Sequence, residues 1–174
     1  MPFFAFETEI VKPDLICYNK YINIEKDKTV AGKKLNVTRK EFQESYKRHF
    51  QLYKRTQGND KTRRLILFYS VECGLKSLLM KNTGNNTYEE LEEYCKKSQK
   101  KELAGHNIKA MLKELNPNSE YTLKNIKLKR GDRIVRPEAF NQLWRYGVAV
   151  ADEEDEKRAE EILEKIAEWI HERL

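Results

Sequence analysis

The stretch Lys61–Lys81, KTRRLILFYSVECGLKSLLMK, limits the fold more than any other part of this chain. Leu65, Phe68, Leu75 and Leu79 recur at helical spacing, and Ile66, Leu67, Val71, Cys73 and Leu78 spread apolar surface round most of the remaining circumference. A helix apolar on nearly every side needs neighbours on nearly every side, so it belongs in the middle of a bundle. At about 1.5 Å per residue it runs roughly 30 Å, the diameter of a small domain. Glu72 interrupts the pattern on the Leu65–Phe68–Leu75–Leu79 stripe, where a bare carboxylate is costly to bury. It is expected to pair with Lys76 one turn later or with a cation from another helix, or else to face a cleft. Gly74, about 1 kcal/mol less favourable than Ala inside a helix, points to a close helix crossing.

The flanking sequence supplies the partners. Thr38-Arg39-Lys40-Glu41 fits a capping box and opens a helix with Phe42, Tyr46, His49, Phe50 and Tyr53 on one face. Gly58 suits its C′ position and Asp60 the N-cap of the central helix, which makes an antiparallel pair. A second box, Thr87-Tyr88-Glu89-Glu90, starts a shorter helix with Leu91 and Tyr94. Asn107–Leu115 is compact and amphipathic, with Ile108, Met111, Leu112 and Leu115 on one face. Residues 119–136 alternate weakly around Gly131-Asp132, and a basic β-hairpin competes there with a surface loop. Pro137 at N1 begins a helix carrying Phe140, Leu143 and Trp144, stopped at Gly147. Asp152–Leu174 is an acid-led helix with Ala159, Ile162, Ile166, Trp169 and Ile170 as its stripe. Residues 1–37 show no helical period and read as an extended arm rich in aromatics, including Phe3, Phe4, Phe6, Tyr18 and Tyr21. The expectation is an all-α, up-and-down bundle of about five or six helices over residues 38–174, with the non-helical arm at 1–37 and a basic insertion at about 119–136.

Composition narrows the partners. The 174 residues suffice for one domain with a real core. The longest uncharged apolar run, Leu65–Val71, is too short for a bilayer, and MPFFAFETEI lacks the basic start of a signal peptide. A cytoplasmic protein with no membrane contact is expected. Cys17, Cys73 and Cys95 are odd in number and scattered, which argues against disulfides and a zinc site. Net charge is +6, and the span Arg39–Arg64 holds nine basic and three acidic residues. Together with Lys124–Arg136 it suggests a polyanionic partner; a solvated Lys/Glu surface is the plain alternative. Arg48, Arg55, Arg63, Arg64, Lys127, Lys129, Arg130 and Arg133 are the candidate nucleic-acid contacts.

Catalytic signatures are sparse. Phosphate-binding glycine loops, nucleophile elbows and metal-binding histidine pairs are all missing, so neither cofactor nor metal is expected. Among the three histidines, His49 reads as structural, His106 caps or packs before a helix unless it is catalytic, and His171 suits a helix C-terminus. In Trp144-Arg145-Tyr146-Gly147, Trp144 reads as core. Arg145 either forms a buried pair with Glu72 or, with Tyr146, lines a cleft for a phosphate and a base.

The ordered set LILFYSVECGLKSLLM, GHNIKAMLKEL, QLWRYG and a closing amphipathic helix resembles the HEPN domain, an all-helical superfamily, over roughly Thr38–Leu174. That resemblance implies a usually paired helical bundle found in metal-independent ribonucleases of toxin–antitoxin, phage-defence and CRISPR systems, and in non-catalytic RNA- or nucleotide-binding members. The nucleases of that superfamily carry an Arg followed after four to six residues by His. No Arg here has a His at that spacing, so the departure falls on the catalytic motif. The expected function is therefore a non-catalytic HEPN-like module that binds RNA or nucleotide, as a homodimer or in a hetero-complex, within a prokaryotic defence or toxin-related system. An unorthodox metal-independent endoribonuclease using His106 (or His49), Arg145 and Tyr146, and a protein-interaction subunit, are the alternatives.

Overall fold

In the computed structural model, which describes residues 35–58, 60–116 and 120–174, helix α2 (Lys61–Thr83) is the axis of an all-α bundle. It packs against α1 (Arg39–Arg55), α3 (Tyr88–Lys97), α4 (Ile108–Leu115), α5 (Phe140–Arg145) and α6 (Glu153–His171). Leu67, Phe68, Val71, Leu75, Leu78, Leu79 and Met80 are buried, as an all-round apolar helix requires. The expected aromatic arm lies, for residues 1–34, outside the described residues. Residues 35–37 are non-helical.

Local chemistry sets the helix ends. Thr38 and Thr87 each accept from the N3 amide of their helix, while Glu41 and Glu90 reach back to the cap. An antiparallel bridge joins the two threonines, with Arg39 N–H donating to Asn86 O and Tyr88 N–H to Val37 O. The N-termini of α1 and α3 are thus tied side by side. Asp60 caps α2 through Arg63 N–H, and Gly84 ends it in the left-handed region at φ 73°. Helix α1 ends one step earlier than the glycine suggests: Thr56 is the C-cap in an extended conformation, and Gly58 lies two residues beyond.

Helices α1 and α2 run antiparallel. Ser77 Oγ donates to Arg39 O, Ser70 Oγ to Tyr46 O and Arg63 Nε to Thr56 O. Helix α6 crosses both. A Cβ built on Gly74 would stand 2.7 Å from Ile170 Cγ2 and 2.8 Å from Tyr46 Cδ2, so the glycine is what permits this approach. The buried face of α6 is Ala159, Leu163, Ile166, Ala167 and Ile170, whereas Ile162 and Trp169 are only half-buried. Its stripe lies somewhat to one side of the one the bulky residues mark, with Leu163 and Ala167 buried where Ile162 and Trp169 were expected.

The insertion contains a minimal hairpin, β1 (Ile126–Lys127) paired antiparallel with β2 (Ile134–Val135), with Gly131 at φ 70° in the connection. Lys129 N–H donates to Ala149 O and Ala151 N–H to Lys127 O, so the segment before α6 anchors the hairpin to the bundle. Pro137 starts a 3₁₀ turn, Pro137–Ala139, rather than α-helix, with no side-chain cap at Arg136. The α-helix begins at Phe140 and buries Phe140, Leu143 and Trp144.

Candidate functional site

Two charged clusters lie along α2. At its N-terminal end Arg64 is 3% exposed, with Nε 3.0 Å from Glu160 Oε2 and one terminal nitrogen 3.4 Å from Glu156 Oε2. Arg63 pairs with Glu160 and lies over the Tyr53 ring, 3.9 Å from its centroid. Lys61 Nζ reaches Glu156 Oε1 at 2.8 Å, Trp144 Nε1 donates to the same oxygen at 2.9 Å, and Tyr53 OH donates to Glu160 Oε1 at 3.1 Å. This network clamps α1, α2, α5 and α6 together. Arg63 and Arg64, expected among the nucleic-acid contacts, are here paired with the acidic start of α6.

Two turns further along α2 is a different arrangement. Glu72 is 6% exposed and divides its two oxygens between two cations or donors: Lys76 Nζ at 2.7 Å from Oε1 and His106 Nδ1 at 2.9 Å from Oε2. Burial alone pushes the Glu72 carboxyl up, but the His106 hydrogen bond and the Lys76 charge outweigh it and hold the group below its usual range. The Lys76 ammonium, itself buried, sits 5.0 Å from the Tyr88 ring centroid and 5.8 Å from that of Phe42. Tyr88 OH donates to Ala104 O and so fixes the loop that delivers His106. Asn107 then caps α4 through Ala110 N–H. The His106 side chain is 57% exposed. A buried carboxylate thus orients a solvent-accessible imidazole.

The expected Glu72–Arg145 pair is not formed. Lys76 and His106 occupy both Glu72 oxygens, and Arg145, exposed at the end of α5, donates instead to Tyr69 OH and lies over the Tyr69 ring. Tyr69 and Glu72 are three residues apart on α2 and so share a face. The structure therefore brings His106 and Arg145 to neighbouring turns of one helix, with Tyr146 exposed beside Arg145. Trp144 is core, as its sequence setting suggests.

The remaining predicted contacts are scattered. Arg48 and Arg55 are exposed on α1, and Lys127, Lys129, Arg130 and Arg133 are exposed on the hairpin, where Lys127 Nζ lies 3.1 Å from Asp132 Oδ1. His49 is half-buried, with Nδ1 shielded from solvent and without a hydrogen-bond partner. Burial, then the Arg48 charge, lowers its pKa. His171 is exposed in the last turn of α6. Among the described residues no three His, Cys, Asp or Glu side chains are grouped to hold a metal ion, and no helix is long and apolar enough to cross a membrane.

Tyr69 was not singled out from the sequence, and neither were Glu156 and Glu160. The available signal was spacing: Glu156 and Glu160 are one turn apart on α6, and Lys61 and Arg64 one turn apart on α2. Comparison with known protein families, curated proteins and solved structures finds no match for this chain.

Proposed function

We propose that this chain is a HEPN-like module that binds single-stranded RNA. The observation that carries this reading is the hairpin: Lys127, Lys129, Arg130 and Arg133 are all exposed on a short ribbon, and Asp132 is the acidic residue beside them. Such a strip meets phosphates and gives affinity that falls with salt. The test is an electrophoretic shift of labelled single-stranded RNA in EDTA over a salt series. A salt-sensitive shift that weakens when Lys129, Arg130 and Arg133 are changed to Gln supports the reading; a shift unaffected by those changes overturns it.

The Glu72–His106 arrangement favours a second reading, metal-independent cleavage of the bound RNA. His106 Nε2 takes the proton of a 2′-hydroxyl, the 2′-oxygen attacks phosphorus, and the bond to the 5′-oxygen breaks with water returning a proton to that oxygen. Arg145 stabilises the charge that builds on the phosphorane. The products are a 2′,3′-cyclic phosphate and a 5′-hydroxyl. Cleavage lost in His106→Ala supports this reading, and intact RNA with wild-type protein removes it.

A further inference from the structure

The two sides of β1 are used differently. On one side Lys129 N–H donates to Ala149 O and Ala151 N–H to Lys127 O, with Leu128 bridged antiparallel to Val150. On the other, β1 pairs with β2 in the register Ile126↔Val135 and Lys127↔Ile134, and Leu128 N–H donates to Arg133 O. That bond makes Lys127 and Ile134 a non-hydrogen-bonded pair, so the N–H and C=O of Ile134 point away from β1. Among the described residues neither group has a hydrogen-bond partner, and β2 is an open edge. Its side chains add to this. Ile126 and Val135 turn towards the core, so Lys127 and Ile134 turn outwards, and Ile134 is 61% exposed.

Charge decides what this edge can accept. From Lys127 to Arg136 the ribbon carries five cations and one acid, Asp132, and Arg133 and Arg136 are exposed on either side of Ile134 and Val135. A second copy pairing along the same edge would set these cations against their own duplicates, which is unfavourable. An acidic strand meets the reverse situation. We propose that the outer edge of β2 takes an extended acidic segment of a partner protein as an added antiparallel strand. Ile134 then exchanges two main-chain hydrogen bonds with an apolar residue opposite it. In that register the next residue of the partner lies opposite Arg133, and the residue two before the apolar one lies opposite Arg136. Carboxylates at those two places complete the match. The inference does not rest on the RNA reading, because it uses the backbone of β2, whereas RNA would be held by the basic side chains.

The test titrates the peptide acetyl-Thr-Glu-Thr-Val-Glu-Thr-amide, which has this pattern, into the ¹⁵N-labelled full chain and follows amide hydrogen exchange by NMR. The expected result is a saturable shift of the β2 amides, with exchange of the Ile134 N–H slowed about tenfold at saturation. Two control peptides separate the ladder from the charge. Methylating the Val nitrogen removes the donor to Ile134 O, and replacing both Glu by Lys reverses the charge; each is expected to abolish the protection. Protection that survives either change overturns the proposal, as does a peptide that leaves the β2 amides unmoved. Protection that grows with protein concentration in the absence of peptide makes a second copy the occupant and equally overturns it. Single-stranded RNA is expected to leave the Ile134 exchange rate unchanged; RNA that protects this amide as well as the peptide does assigns the edge to nucleic acid and overturns the proposal.

Discussion

Arg64 Nε donates to Glu160 Oε2 at 3.0 Å across the α2–α6 interface, with the arginine side chain 3% exposed and the glutamate 10%. Arg64 also reaches Glu156 and Glu160 also holds Arg63, so the buried charges are compensated as a network. A buried pair adds little over apolar residues of equal volume, yet losing one partner strands the other charge.

Glu160→Ala is therefore expected to destabilise the bundle by about 3 kcal/mol or more. It also strips Arg63 and Tyr53 of their shared acceptor. Urea unfolding followed by Trp fluorescence measures the loss, with Trp144 reporting directly because Glu156, the other acid of the cluster, holds its indole.

Gly74→Ala sets two effects against each other. Alanine is the better helix former by about 1 kcal/mol, but its Cβ would stand 2.7 Å from Ile170 and 2.8 Å from Tyr46. Tyr46 is completely buried, and its OH donates to Ala167 O, so it has little room to yield. Overpacking wins, with a net loss of about 1–2 kcal/mol in a thermal or urea titration.

Acid destabilises the fold in two steps. Native His49 has a pKa below its ordinary 6.5, so the unfolded chain binds its proton first as pH falls and stability drops from there downward. Glu72 is likewise held below its ordinary 4.5, and its stabilising contribution, complete above that value, is lost as pH falls through the native pKa. Urea midpoints measured across this range should show the first decline disappear in His49→Gln while the second remains.

Cys73 is predicted to resist alkylation in the native state. Burial, then the neighbouring Glu72 charge, pushes its thiol to about 12, so thiolate is scarce at neutral pH. Mass spectrometry after iodoacetamide treatment should find Cys73 modified in urea and unmodified without it.

The salt dependence of RNA binding separates hairpin from helix. Each phosphate contact removed from single-stranded RNA lowers the salt slope by about 0.7, so Arg130→Gln and Arg133→Gln should flatten it stepwise at unchanged stability. Arg63→Gln should instead lower stability, because its guanidinium is spent on Glu160.

The bundle was legible because the sequence states it redundantly: an all-round apolar α2, two capping boxes, the Asp60 cap and the acid-led start of α6. Local signals of that kind survive without knowledge of neighbours. The partners of charges do not. Arg64 and Arg130 look alike in sequence, and only the docking of α6 decides that one is buried and the other exposed. Glu72 was recognisable as an anomaly and Lys76 as a partner one turn away, but its second donor, His106, lies 34 residues on and depends on the loop that Tyr88 fixes. Arg145 was marked as functional or buried; its exposure at the end of α5 follows from the helix stopping one residue later, before Gly147 at φ 60°.

The separation between Arg64 and Glu160 is 96 residues, and that distance orders events during synthesis. When α1 and α2 leave the ribosome they pair, but Arg63 and Arg64 emerge as uncompensated cations on a surface that must later be dry. In the fold both are paired with acids of α6, Glu156 and Glu160, while acids of the α1–α2 hairpin serve elsewhere: Glu41 and Asp60 in helix caps and Glu72 with Lys76 and His106. These pairs therefore form only once the final helix has been made, which places them among the last contacts of the bundle to assemble during synthesis.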